Sequence, residues 1–176
     1  TCALPICVKY RDFFRAIFLA QMFAFTTSSS AATLPVTLRQ TQNELGVSKT
    51  VSNFVLPIGV TINMDGTSCY QAIAAVFIAQ VFGLDLNVTQ QLTIVLTATL
   101  SSIGTPGVPG GSIIMLVIVL SSVGLPAAGL ALILGIDRPL DMLRTVVNIT
   151  GDSTISTIVS KSEGDLNYPV KKEQAA

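Results

Sequence analysis

The densest run of chemically capable side chains reads Asp137-Arg138-Pro139-Leu140-Asp141-Met142-Leu143-Arg144-Thr145-Val146-Val147-Asn148-Ile149-Thr150-Gly151-Asp152. At about 100° per residue, a helix gathers Asp141, Arg144, Asn148 and Asp152 into a stripe about 80° wide, bordered by Thr145, with Leu and Val opposite. Three unpaired charges on one stripe cost about 8–10 kcal/mol to insert into a bilayer. A stripe of this kind must face protein or a wet cavity. Two readings are open. Asp141 and Arg144, three residues apart, can satisfy each other as an internal salt bridge. Alternatively, the stripe suits an amino acid: Asp141 accepts from an ammonium, Asn148 donates to one carboxylate and Arg144 forks onto a second. Since an internal pair is seldom worth more than an apolar replacement, the second reading is favoured.

A second polar group, Asn63-Met64-Asp65-Gly66-Thr67, interrupts the apolar stretch Val51 to Phe82, which also holds Pro57 and Gly59. Asn, Asp and Gly side by side disfavour continuous helix. In an apolar medium the freed carbonyls need partners, and a cation suits several at once. Together with Asp152, Asn63 and Asp65 outline an all-oxygen site for a hard cation such as Na⁺. The plainer alternative is a kink with a satisfied polar cluster.

The elements that carry these groups are membrane-like. Only 11% of the 176 residues are charged, against about 25% in soluble domains. No charge occurs from Val88 to Ile136 or from Ala16 to Leu38, and Asp65 is alone between Thr50 and Leu84. A helix needs about 20 residues to cross the hydrocarbon core, so a polytopic membrane protein is expected. Asp12 to Phe25 and a piece running on to Glu44 are half-lengths joined by Thr26 to Pro35, rich in hydroxyls. They read as a re-entrant hairpin or one kinked helix, with Pro35 biasing Leu34 out of helix. Gly46 to Ser52 is a polar turn. Val88 to Ser102 and Ser112 to Val123 are half-lengths around Ile103 to Gly111, whose two prolines and four glycines oppose any helix; here a re-entrant hairpin is expected. Pro126 to Lys161 is of spanning length. The hairpin tips lie about 76 residues apart and each is followed by a spanning segment bearing an Asp at mid-depth, an internal repeat that points to a midplane transport site. The tail from Glu163 is expected to be loose and aqueous.

Zero net charge without a basic stripe argues against nucleic acid as a partner. With no His, a His triad or His–zinc site is excluded, and Cys2, Cys7 and Cys69 lack zinc spacing; Cys69 is expected to be a small buried residue. The chain starts with Thr and shows no signal-peptide pattern, so it reads as a fragment, and Thr1 to Val8 is a candidate non-native stretch.

Ser28-Ser29-Ser30 with Thr33-Leu34-Pro35, Asn63 to Thr67, the Gly104 to Gly111 tip and Asp141 to Asp152, in that order, resemble the dicarboxylate/amino acid:cation symporter family, the glutamate and aspartate transporters. The likeness spans roughly Asp12 to Gly164. It implies an all-α membrane protein of two re-entrant helical hairpins and two transmembrane helices, one broken, forming the C-terminal part of an inverted-repeat transport domain. Residues 1–11 would be a flank, hairpin 1 about 12–46, helix 7 about 50–84, hairpin 2 about 88–124, helix 8 about 126–161, and 165–176 a polar tail. The implied activity is cation-coupled symport of L-glutamate or L-aspartate, with Na⁺ or H⁺ as coupling ion and no other cofactor. The implied setting is a multi-pass position in a cell membrane, specifically a bacterial inner membrane, as a homotrimer of the full-length protein.

Carried over position by position, the resemblance implies that Ser29, Ser30, Thr67, Asp141, Arg144, Thr145 and Asn148 hold the substrate, with backbone at Val108 and near Ser112 closing over it. One Na⁺ would take carbonyls of Gly59, Asn63 and Asn148 with the Asp152 carboxylate. A second would take carbonyls around Thr61, Ser102, Ile103 and Thr105, close to Met64, and a third Asn63 and Asp65. Ser28 and Met142 stand where relatives carry Arg at one position or the other; Arg138 is a candidate to compensate in part. Retention of both Asp141 and Arg144 favours an acidic amino acid over a plain dicarboxylate or a neutral amino acid. An ion-conducting pore is the rival from another class. A membrane enzyme is disfavoured by the lack of His and of a nucleophile elbow.

Overall fold

The computed structural model describes residues 8–170; Cys2, Cys7, most of the suspected foreign stretch and residues 171–176 of the tail lie outside the described residues. The described chain is all helical. In order come α1 (Tyr10–Thr27), α2 (Ser30–Asn43), α3 (Lys49–Ile62), α4 (Asp65–Val81), α5 (Val88–Ile103), α6 (Gly111–Ser122), a 3₁₀ turn (Ala127–Gly129) and α7 (Leu130–Ser162).

Each break has a local cause. α1 ends where Ser28 takes the left-handed conformation at φ 51°, and the next residue caps α2, the Ser29 hydroxyl accepting from the Ala32 amide at 3.1 Å. The chain therefore reverses at Ser28-Ser29, and α1 packs back on α2: a hairpin, not one kinked helix. Pro35 does not end a helix as expected but lies inside α2, where its missing N–H leaves the Ala31 carbonyl without its ladder bond. Ser48 caps α3 through its hydroxyl, accepting from the Val51 amide, so the polar turn is shorter than expected and helix resumes at Lys49. Asn87 and Gln90 form a reciprocal capping box at the start of α5. The second tip, Gly104 to Gly110, is non-helical as its prolines and glycines require, and α5 packs against α6.

Among the described residues, no helix is long and apolar enough to cross a membrane. The stretch expected as helix 7 is divided at Asn63-Met64 into α3 and α4. α7, at 33 residues, has the length but carries Asp137, Arg138, Asp141, Arg144, Asp152 and Lys161.

Polarity is inverted relative to an ordinary domain. Ile114 and Phe54 are 71% and 70% exposed, whereas Thr41, Ser52, Ser153, Ser156, Thr157 and Ser160 are fully buried. Most of those hydroxyls donate back along their own helix, as in Thr41 to the Thr37 carbonyl at 2.8 Å and Thr157 to the Ser153 carbonyl at 2.7 Å. This satisfies the proton without a tertiary partner and lets α2, α3 and α7 pack through small side chains. Apolar clusters lie at either end: Ile78, Ile94, Leu116 and Ile133 join α4 to α7, and Phe13, Ile17, Leu45 and Val51 close the base of α1 and α3. Cys69 is exposed rather than buried, because it lies beside Ile73 and Phe77 along a groove between α4 and α7.

The tail departs from expectation. The Asn167 amide donates to the Gly46 carbonyl at 2.9 Å, Leu166 and Tyr168 pack on the Phe13 cluster, and the Tyr168 hydroxyl donates to Asp12 at 3.3 Å. Residues 165–168 thus strap the hairpin base instead of hanging free. Gly46 has φ +72°, and a methyl there would strike the Asn167 carbonyl oxygen. Gly46→Ala is expected to cost about 1 kcal/mol or more and to free the tail, read as faster cleavage after Glu163 in limited proteolysis; an unchanged digestion pattern would refute the strap.

Candidate functional site

α7 is the axis of the site because α1, α2, α3 and α4 all pack on it. Three glycines set the approach. A Cβ on Gly59 would strike the Asp152 carboxylate, one on Gly66 would lie 2.7 Å from the Arg144 carbonyl oxygen, and one on Gly151 would lie 2.6 Å from Asn63 Nδ2. The α3–α4 break is thereby seated directly on α7.

Between the two hairpin tips, the break and α7 lies a small polar cavity, lined by Ser28, Ser30, Met64, Thr67, Thr105, Pro106, Gly107, Val108, Ser112, Asp141, Thr145 and Asn148. The tips touch: the Ser29 hydroxyl donates to the Gly107 carbonyl at 2.7 Å, and the Ala31 amide donates to the same oxygen at 3.2 Å. The second tip also reaches the middle of α7, the Gly110 amide donating to Asp141 Oδ2 at 3.0 Å. Two buried hydroxyls facing this space, those of Ser28 and Ser112, have no partner. A buried unpaired polar group costs about 1–3 kcal/mol, so they mark where a polar guest gains most.

Arg144, 4% exposed, lies behind Asp141. Its Nη2 and Nε donate to Asp141 Oδ1 at 2.8 and 3.2 Å, and Nη2 and Nη1 to Asp137 Oδ1 at 3.0 and 3.1 Å. The Tyr70 ring lies against the guanidinium at 3.9 Å, and the Tyr70 hydroxyl donates to Asp137 at 2.9 Å. Arg138 Nη1 is 4.0 Å from Asp141 Oδ2. The internal salt bridge between Asp141 and Arg144, the reading disfavoured from the sequence, is present, with Asp137 as a second carboxylate.

Asn148 ties the break to the cavity. Its carbonyl Oδ1 accepts from the Gly66 amide at 2.8 Å, while Nδ2 reaches Met64 Sδ at 3.1 Å and the Thr67 hydroxyl at 3.3 Å. The Thr145 hydroxyl donates to the Asp141 carbonyl at 2.8 Å. One turn on, Asn63 Nδ2 donates to Asp152 Oδ1 at 2.8 Å and to the Asn148 carbonyl at 3.4 Å.

Of the substrate candidates, Ser30, Thr67, Val108, Ser112, Asp141, Thr145 and Asn148 line the cavity, with Arg144 one layer behind. Ser29 does not line it; its hydroxyl caps α2 and latches the tips. Of the cation candidates, Gly59, Asn63, Asn148 and Asp152 converge. Met64 and Thr105 share the cavity wall, Ser102 is buried near them, and Thr61 and Ile103 are exposed. Asp65 is exposed, yet a Cβ on Gly151 would lie within 3.3 Å of its Oδ2, which places it beside Asn63. Among the described residues, no three of His, Cys, Asp and Glu group to hold a metal; a cation here would rest on carbonyls and one carboxylate, a donor set for a hard monovalent ion rather than a transition metal.

Sequence reasoning missed Ser28 and Asp137. Asp137 had a readable signal, since four residues before Asp141 is the same helical face. Ser28 had none, because its aim depends on a left-handed backbone at a non-glycine residue.

Comparison with known proteins bears on this geometry. Residues 2–162 match the Sodium:dicarboxylate symporter family. The chain is 51% identical to excitatory amino acid transporter 3 of Mus musculus over 158 residues, which cover 89% of this chain and 30% of that protein. It is 48% identical to excitatory amino acid transporter 2 of Homo sapiens over 157 residues (88% and 27%) and 46% identical to an excitatory amino acid transporter of Caenorhabditis elegans over 156 residues (88% and 31%). The chain thus spans about three-tenths of the length of these relatives. All three are animal proteins, so the expected bacterial inner membrane has no support; what the family implies is a membrane. With a match across nearly its whole length and the four motifs folded around one cavity, the chain belongs to the sodium:dicarboxylate symporter family.

Proposed function

We propose that this chain forms the substrate- and cation-binding part of a sodium-coupled symporter for acidic amino acids, L-glutamate or L-aspartate, in a multi-pass membrane protein that assembles as a homotrimer. α1–α2 and α5–α6 are its re-entrant hairpins, and α3–α4 and α7 its crossing segments, related as an inverted repeat. Support for the membrane setting comes from the exposed apolar exterior around a hydroxyl-rich interior. The observation that carries the substrate reading is the polar cavity between two touching tips, with two unpartnered hydroxyls and Asp141 in its wall and with Arg144 held behind it.

The mechanism follows from exchange of partners. An arriving ammonium takes over Asp141, whose Oδ1 is now held by Arg144. The released guanidinium, still anchored by Asp137 and Tyr70, turns to the guest's distal carboxylate. Asn148 and the Ser28 and Ser112 hydroxyls donate to the α-carboxylate, and the Ser29–Gly107 latch closes the second tip over it. Charge accounts for coupling. Asp137, Asp141 and Asp152 outnumber Arg144 by two, and an acidic amino acid adds one more negative charge. In a low dielectric this excess is costly, so bound cations raise substrate affinity, and substrate raises theirs. Asn63 Nδ2 already bridges the Asn148 carbonyl and Asp152, presenting a partial positive charge between oxygens that suit Na⁺.

The test uses the complete transporter carrying this segment, reconstituted in vesicles. Uptake of labelled aspartate that needs a Na⁺ gradient and saturates supports the reading; conductance without saturation or competition by amino acids supports a pore. Arg144→Ala is expected to abolish binding of acidic substrates, measured by calorimetry with Na⁺ present; unchanged affinity contradicts its role. Asp152→Asn is expected to weaken the Na⁺ dependence of aspartate binding, and a wild-type Na⁺ titration counts against the assignment. Ser29→Ala removes a cap and the inter-tip latch, each worth about 1 kcal/mol. Amide exchange at Gly107 to Gly111 should rise severalfold; unaltered protection means the latch is not what holds the tip.

A further inference from the structure

Asp141 has two oxygens with different neighbours. Oδ1 belongs to Arg144. Oδ2 accepts from the Gly110 amide of the second tip at 3.0 Å and faces Arg138 Nη1 at 4.0 Å. The Arg138 side chain is 57% exposed and that of Asp141 only 9%, so an exposed guanidinium stands at the rim of a buried carboxylate. No Lys or Arg occurs between Thr50 and Ile136, so α4, the second hairpin and nearly all of α3 bring no further cation to Asp141. With Arg144 shared between two carboxylates, the cluster is one positive charge short, and Arg138 is placed to supply it.

Resting on the substrate reading above, we propose that Arg138 is a positioning residue that determines specificity: it neutralises Asp141 Oδ2 when the guest lacks an ammonium, and so admits C4 dicarboxylates without an amino group beside acidic amino acids. An amino acid brings its own cation to Asp141. Succinate does not; its carboxylate meets Asp141 across the cavity, and the repulsion is relieved only if another positive charge reaches Oδ2. Arg138 sits three residues before Asp141 on the same face of α7, a spacing at which the two side chains meet. Its exposure leaves it free to swing away when an ammonium arrives, so it costs an amino acid little. The same exposure limits the gain to the range of a solvent-screened pair.

The experiment measures inhibition of labelled L-aspartate uptake by L-aspartate and by succinate, in vesicles carrying the complete transporter under a Na⁺ gradient. In Arg138→Gln, the inhibition constant of succinate relative to aspartate is expected to rise about fivefold, less at high salt because the pair is screened. Arg138→Lys should retain the wild-type ratio. Should the Gln variant express poorly, Arg138→Met, which keeps the alkyl stem, gives the same comparison. A merely structural role would weaken both ligands together, and an unchanged ratio or equal losses overturn the proposal while leaving the site reading intact. Wild-type protein that takes up aspartate but ignores succinate overturns it too. Wild-type protein that takes up neither removes the substrate reading itself.

Discussion

A guanidinium cannot lie in an apolar interior without acceptors, and Arg144 finds them in Asp137 and Asp141 on its own helix. That choice constrains much else. All three groups must face inward, so α7 becomes the axis on which α1 to α4 pack. Tyr70 of α4 must lie flat on the guanidinium and close the cluster with its hydroxyl. The second tip must bring the Gly110 amide to the remaining Asp141 oxygen. Breaking one partner of such a buried group leaves the other uncompensated, at several kcal/mol, so exchange of partners costs less than dissolving the cluster.

The rest of the interior solves a related problem with weaker means. Hydroxyls on α2, α3 and α7 meet with few tertiary partners, and most use the carbonyl four residues back on their own helix. Their small volume permits close packing, while large apolar side chains are turned outward. This internal satisfaction stops at Ser28, Ser112 and Ser156, whose buried hydroxyls have nothing to bond. The first two line the cavity, where a polar guest can reach them.

The break between α3 and α4 links the two halves of the proposed site. Gly66 gives its amide to Asn148, and Asn63 its side chain to Asp152, so the groups proposed for substrate and cation share one short segment and one helix face. Ligands on either side of Asn148 therefore act on the same hydrogen bonds, a physical route for reciprocal coupling.

Local rules were enough for much of this. The proline- and glycine-rich second tip, the Asn-Met-Asp-Gly break and the stripe from Asp141 to Asp152 follow from periodicity and backbone propensity, and the structure realises each of them. Ser29 as a latch, Ser28 as a wall of the cavity, the docked tail and the exposed Cys69 were not legible, since each depends on which surfaces meet. The left-handed turn at Ser28 and the approach of Asn167 to Gly46 are set by packing between segments far apart in the chain. The amino-acid sequence by itself determined where helices must stop and which face must be hidden, because those are properties of neighbouring residues. Only the tertiary structure decided which hydroxyls stay unpaired and which carboxylate oxygen each arginine reaches, because a hydrogen bond depends on tenths of an ångström between elements that no spacing along the chain encodes.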